Sequence, residues 1–96
     1  MHPEDVFIAL SDPTRREVIA ALARHGACTA TQLAAGMPIT RQAVAKHLSL
    51  LRRSGLVVRE RHGRETHYRL VPQAFTEAIA WLEELSGQAE QALRAA

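Results

Sequence analysis

The segment Thr40–Val57, TRQAVAKHLSLLRRSGLV, decides how this chain folds. Thr40 has a side-chain oxygen that can accept a backbone N–H at the start of a helix. Val44, Leu48 and Leu51 then recur at the spacing of one helical face, while the opposite face is polar. The segment therefore predicts an amphipathic helix that buries one side and presents the other.

The sequence before this helix predicts three shorter helices. The first covers Pro3–Leu10, and the second begins at Pro13, which loses no needed hydrogen bond at a first helical position, and ends at Gly26. Thr29 opens a brief third helix through a capping-box pattern, and Pro38 prevents it from continuing. Two helices joined by a tight turn that contains glycine are the outline of a helix-turn-helix.

The sequence after the helix changes character. LVVRER and ETHYRL are short and rich in β-branched, aromatic and Arg residues, and His62-Gly63-Arg64 between them predicts a hairpin turn. A last helix, from about Gln73 to Leu93, carries a wider apolar stripe than the core of a 96-residue domain can use. We expect a mainly α fold with a small β-hairpin: a winged helix-turn-helix of five helices and a two-stranded wing, in one domain over 1–96.

The charge of the chain is concentrated in one segment. The net charge is only +2, but residues 1–40 carry −1, residues 41–69 carry +6 and residues 70–96 carry −3. A polyanion is the natural partner of such a segment, because each neutralised phosphate releases counterions. The basic residues coincide with the second helix of the helix-turn-helix and with the hairpin beside it, so duplex DNA is the expected partner.

Three segments together resemble a known family. They are the opening ALSDPTRREVIAAL, the segment TRQAVAKHLSLLRRSGLV and the hairpin RERHGRETHYRL. Together they resemble the ArsR-type winged-helix transcriptional repressors of bacteria, from about Val6 to Trp81. The resemblance implies a homodimeric repressor on a palindromic operator, with dimer contacts from the first and last helices. The implied interface candidates are Val6, Phe7, Leu10, Ala78, Trp81, Leu82 and Leu85.

Side chains that point away from the apolar stripe of the 40–54 helix are the candidates for DNA contact. Gln42 and Lys46 can donate to purine edges or phosphates, and Ala45 allows a close approach to a thymine methyl. Basic side chains of the hairpin at 56–70 would hold the DNA backbone and position more than they specify. The predicted DNA contacts are Thr40, Arg41, Gln42, Ala45, Lys46, His47, Ser49, Arg59, Arg61 and Arg64.

The chain departs from the family's metal-sensing patterns. Thr29 and Thr31 stand where a common sensor site has Cys-x-Cys, and a hydroxyl is no substitute for a thiolate with soft metals. The last helix contains no His, and the lone Cys28 is expected to be a small buried side chain. We therefore predict no metal and no cofactor.

Other functions remain as alternatives. No catalytic constellation or phosphate-binding loop is present, so the chain is not expected to be an enzyme. No apolar run of membrane-spanning length and no signal peptide are present, so we expect a cytoplasmic protein that is associated with the nucleoid when bound to DNA. One alternative is a winged-helix module that contacts only proteins, through its last helix. The other is a repressor that responds to a metal or metalloid through non-standard ligands.

Overall fold

Capping side chains set the helix starts in the computed structural model, which describes residues 2–96. Asp12 Oδ1 accepts the backbone N–H of Thr14 at 3.0 Å, and Thr40 Oγ1 accepts that of Ala43 at 3.1 Å. The elements are α1 (Pro3–Leu10), α2 (Pro13–His25), α3 (Ala30–Ala35), α4 (Arg41–Arg53), β1 (Val57–His62), β2 (Glu65–Leu70) and α5 (Pro72–Ala95). The prediction of five helices and a two-stranded wing is confirmed.

The wing is an antiparallel hairpin with a tight turn. Its register runs from Val57 opposite Leu70 to His62 opposite Glu65. The turn is therefore shorter than the sequence predicted, because His62 belongs to the strand. Gly63 has a φ of +63° while no non-glycine residue of the described chain has a positive φ. This is the sign pattern of a type II′ turn, whose twist matches that of the flanking strands.

The core lies between the helices and the base of the wing. Val44, Leu48 and Leu51 of α4 are at most 1% exposed, as their spacing predicted. They share one buried cluster with side chains of α1, α2, α3 and α5 and with Leu56 and Val57. Burial of this stripe orients α4 so that its polar face points outward.

α5 extends far beyond this core. It has 24 residues, and at about 1.5 Å per residue this length corresponds to roughly 36 Å. Only Ala74 and Ala78 of α5 are buried, and every residue from 79 to 96 is exposed. The radius of gyration is 16.2 Å, against about 12.5 Å for a compact domain of this length. Within residues 2–96, no helix is both long and apolar enough to cross a membrane.

Candidate nucleic-acid interface

The outer face of α4 combines basic and small polar side chains. Gln42, Lys46 and Ser49 are exposed, and Ala45 between them is half-buried and small. α4 contains no acidic residue. Arg53 follows Gln42, Lys46 and Ser49 at the same helical spacing and is also exposed. The sequence prediction left Arg53 out, although one more step of four residues from Ser49 would have found it.

Arg41 connects the two helices of the helix-turn-helix and lines a groove that the wing also borders. Its Nε donates a hydrogen bond of 3.1 Å to Thr31 Oγ1 on α3. Arg41 and Arg64 of the wing turn also line the same groove, which has a volume of about 460 Å³. The start of α4 and the tip of the wing therefore border one groove, which is also lined by Glu65.

The register of the hairpin separates its charges onto two faces. Directly opposed residues of an antiparallel pair lie on the same face, and neighbours along a strand alternate. Arg59 opposite Tyr68 and Arg61 opposite Thr66 therefore share one face, which carries no acid. Glu60 and Glu65, the two acidic residues of the wing, lie on the other face.

The acids on that second face are already paired. Glu60 Oε1 accepts a hydrogen bond of 2.8 Å from Arg69 Nε, and Glu65 Oε1 lies 3.2 Å from His67 Nε2. The hydrogen bond and the charge of Arg69, with a further contribution from His62, lower the pKa of Glu60. Arg69 is thus neutralised by Glu60, while Arg59 and Arg61 keep their charge available on the acid-free face.

His47 differs from the other candidate contacts on α4. Its side chain is only 19% exposed, and Nδ1 lies inside the protein 3.9 Å from Oδ2 of Asp12. Arg41, Gln42, Lys46 and Ser49 are exposed by comparison. The structure therefore places His47 at the junction of α4 with α2, at the edge of the predicted DNA-contacting face.

The candidate interface residues on α1 and α5 fall into two groups. Val6 and Ala78 are 2% and 3% exposed, so they belong to the core of the protomer and have no surface to offer a partner. Phe7 and Leu10 are half-buried, and the ring of Phe7 lies 5.6 Å from that of Trp81 between centroids. Trp81, Leu82 and Leu85 are 42–49% exposed.

Further exposed apolar side chains lie on the same two helices. Ile8 is 64% exposed, Ile79 53% and Leu93 78%. The sequence prediction missed them as interface candidates, because Ile8 lies outside the apolar stripe of α1, and the length of the uncovered part of α5 is visible only in the structure. All large exposed hydrophobic residues of the described chain lie on α1 and α5.

Thr29 and Thr31, which stand where a common metal-sensing site of the family has Cys-x-Cys, serve structural roles. Thr29 caps α3 by accepting the N–H of Gln32, and Thr31 accepts the hydrogen bond from Arg41. Cys28 is 7% exposed, and burial raises the pKa of its thiol, which disfavours the thiolate that a metal requires. Over residues 2–96, no three His, Cys, Asp or Glu side chains are grouped so that they could hold a metal ion. The absence of a metal stays a prediction.

Comparison with known proteins places this architecture in a family. The sequence model described as "Helix-turn-helix domain" matches residues 10–60. A structure described as an ArsR-like transcriptional regulator from a Rhodococcus species is 38% identical and superposes with a TM-score of 0.85, covering 97% of this chain and 87% of that one. The chain belongs to the ArsR family of winged helix-turn-helix transcriptional regulators. The resemblance noted in its sequence is thereby confirmed.

Two curated relatives show the range of this ArsR family. The transcriptional repressor SdpR of Bacillus subtilis is 31% identical over 81% of this chain and 86% of its own length. The regulator CmtR of Mycobacterium tuberculosis is 43% identical over 77% of this chain, and its solved structure, described as a cadmium metal-sensor, has a TM-score of 0.62 with 80% of that chain covered. The match spans 62% of the full length of CmtR. These relatives are transcriptional regulators, which supports the prediction that the chain is not an enzyme.

Proposed function

We propose that this chain is a homodimeric repressor that binds a palindromic operator through α4 and the wing. One observation carries the proposal. The outer face of α4 and the Arg59–Arg61 face of the hairpin carry no acid, and they flank a groove in which Glu65 stands beside Arg41 and Arg64. A helix of this kind fits the major groove, and a basic hairpin beside it reaches the flanking backbone.

The residues of this surface divide into two roles. Gln42 and Lys46 face outward near the start of α4, where they can donate to base edges, and Ala45 permits close approach. Arg41, with Thr40 and Ser49, lies where the DNA backbone would pass. The wing contributes Arg59, Arg61 and Arg64 to backbone contacts that hold the protein in register without reading sequence.

The second copy would cover the apolar surface of α1 and α5. Along α5, Leu82, Leu85, Ala89 and Ala92 recur at alternating spacings of three and four residues, the pattern with which one helix packs along another. From Leu82 onward this seam is exposed over the projecting part of the helix. A patch of this kind on a small chain marks an interaction site. We assign the whole of 1–96 to one DNA-binding domain whose terminal helices form the dimer.

The dimer gives the repressor its operator geometry. An isologous pair related by a two-fold axis presents two α4 helices about one turn of DNA apart, which matches a palindromic site. Repression then follows from steric exclusion of polymerase from the occupied DNA. This activity belongs in the cytoplasm, at the nucleoid.

Selection of bound duplexes from a random pool tests the proposal. The selected DNA should contain a palindrome with half-sites about one helical turn apart. Gln42→Ala should then weaken binding to that site by about 1–3 kcal/mol and leave random duplex nearly unaffected. Gln73→Ala, at an exposed position at the start of α5, is the matched control and should change neither affinity.

Two outcomes would contradict the proposal. An equal loss on selected and random DNA would remove Gln42 as a base-reading residue. A wild-type chain that binds no duplex even at low salt would favour the alternative of a module that contacts only proteins. The oligomeric state is tested separately: Leu85→Glu should give a monomer in sedimentation, because the charge would lie in the predicted seam.

A further inference from the structure

His47 contains a buried nitrogen that lacks a hydrogen bond. Among the buried side-chain nitrogen and oxygen atoms of residues 2–96, Nδ1 of His47 is the one without a partner. An unsatisfied buried polar atom costs free energy, so such an atom in a native fold requires an explanation. The group that faces it is the Asp12 carboxylate, with Oδ2 at 3.9 Å. An N–H at Nδ1 can donate toward this carboxylate.

Asp12 is held firmly in the position that faces His47. Its Oδ1 accepts the N–H of Thr14, and its Oδ2 lies 3.3 Å from Nη1 of Arg15. Arg15 in turn donates from Nε to the carbonyl of Ala9 and from Nη2 to that of Ile8, both at 3.2 Å. Arg15 and Asp12 thus connect the end of α1 with the start of α2, and Asp12 Oδ2 lies 3.9 Å from His47 in the middle of α4. Asp12 is the charged group recorded near His47, and Arg15 contacts Asp12.

We infer that His47 is a positioning residue that fixes the rotation of α4 against α2 through Asp12. A closure of about 1 Å would bring Nδ1 and Oδ2 to an ordinary hydrogen-bond length. The inference rests on the proposed function, because the rotation of α4 decides where Gln42 and Lys46 point. It also changes the role predicted from the sequence: His47 acts on the DNA-contacting face from inside, and not by touching a phosphate.

Two amide variants distinguish a contact of His47 with Asp12 from a contact of His47 with a DNA phosphate. In His47→Asn the amide nitrogen replaces Nδ1 and keeps a donor toward Asp12, whereas in His47→Gln it replaces Nε2 at the other edge of the ring. Asp12→Asn removes the carboxylate charge but retains a good helix cap. All variants are first compared with wild type by circular dichroism and thermal unfolding, so that a misfolded protein is recognised.

The affinity for the selected operator should be retained in a variant that keeps a donor at the Nδ1 position and reduced in one that loses it. His47→Gln should bind about two- to tenfold more weakly, the range expected for the loss of one hydrogen bond. His47→Asn should stay within about twofold of wild type, because it retains a donor toward Asp12. In the Asp12→Asn background, His47→Gln should cause no further loss. Random duplex should be affected less than the operator, because the wing contacts to the DNA backbone do not depend on the rotation of α4.

Opposite patterns would overturn the inference. If His47→Gln retains affinity and His47→Asn loses it, the outer edge of the ring contacts DNA. If the effects of Asp12→Asn and His47→Gln simply add, the two residues act independently.

Backbone amide NMR spectra recorded without DNA test the contact between His47 and Asp12 independently of the proposed function. His47→Gln should shift the backbone signals of Asp12 and Arg15, and His47→Asn should shift them less. Absence of these shifts would refute the contact even in a chain that represses normally. A wild-type chain that binds no duplex would instead refute the proposed function, while the spectra still decide whether His47 and Asp12 interact.

Discussion

Arg59→Gln is the sharpest test of the wing as a DNA contact. Each phosphate contact contributes about −0.9 to the slope of log Kobs against log salt concentration. Arg59 lies on the acid-free face of the hairpin, opposite Tyr68, and the ion pairs of residues 2–96 do not include it. Gln at this position should make the slope shallower by about 0.9, so the ratio of wild-type to variant affinity should shrink about fourfold between 50 and 250 mM salt.

Two controls separate contact from overall charge. Arg24→Gln makes the same change in net charge at an exposed position on α2, outside the basic segment, and should leave the slope unchanged. The double variant Glu60→Gln/Arg69→Gln removes the 2.8 Å pair on the opposite face of the wing without changing net charge. It should also retain the wild-type slope, because Arg69 is already neutralised within the protein.

The assay is fluorescence anisotropy of a labelled duplex titrated at several potassium chloride concentrations and constant pH. An unchanged slope for Arg59→Gln would refute the assignment of this hairpin face to DNA. A slope change of equal size in Arg24→Gln would show that the effect reflects net charge alone.

Three further predictions concern stability and ligands. Leu48→Ala should lower the free energy of unfolding by about 2–5 kcal/mol in urea titration, because the side chain is fully buried and a cavity would remain; a loss below about 1 kcal/mol would mean that the core had collapsed around the site. The lowered pKa of Glu60 means that its pairing with Arg69 stabilises the fold above the ordinary carboxyl range and is lost as the pH falls through the lowered value. A carbon-13 NMR titration should show this low pKa in wild type and its return toward normal in Arg69→Gln. Equimolar cadmium should leave operator affinity unchanged, since Thr29 and Thr31 are not thiolates and Cys28 is buried; release of the DNA would support the metal-responsive alternative.

The elements of the fold could be predicted because their signals are local. A capping side chain bonds a backbone N–H two or three residues away: Thr40 caps the helix that the sequence assigned to it, and Asp12 caps the helix predicted to begin at Pro13. The stripe of Val44, Leu48 and Leu51 fixed the buried side of α4, and its opposite face followed from helical geometry. The polar face of α4 could therefore be predicted from the sequence before any packing was known.

Other features depend on contacts between distant parts of the chain. Val6 and Ala78 have the same apolar character as Phe7 and Leu82, and only the packing of α1 against α5 decides which of them are buried. The pairing of Glu60 with Arg69 depends on the strand register, since a slip of one residue would move each side chain to the other face.

The sequence by itself determined the helices, the hairpin and the polar face of α4, because periodicity and capping act within a few residues. Only the tertiary structure decided that His47 faces Asp12, which lies 35 residues earlier, and that Arg59 and Arg61 stand apart from the wing acids. It also decided that α5 projects beyond the core with its apolar seam uncovered. The physical reason is that burial and charge pairing depend on which surfaces meet, and elements distant in sequence meet only after the chain has packed.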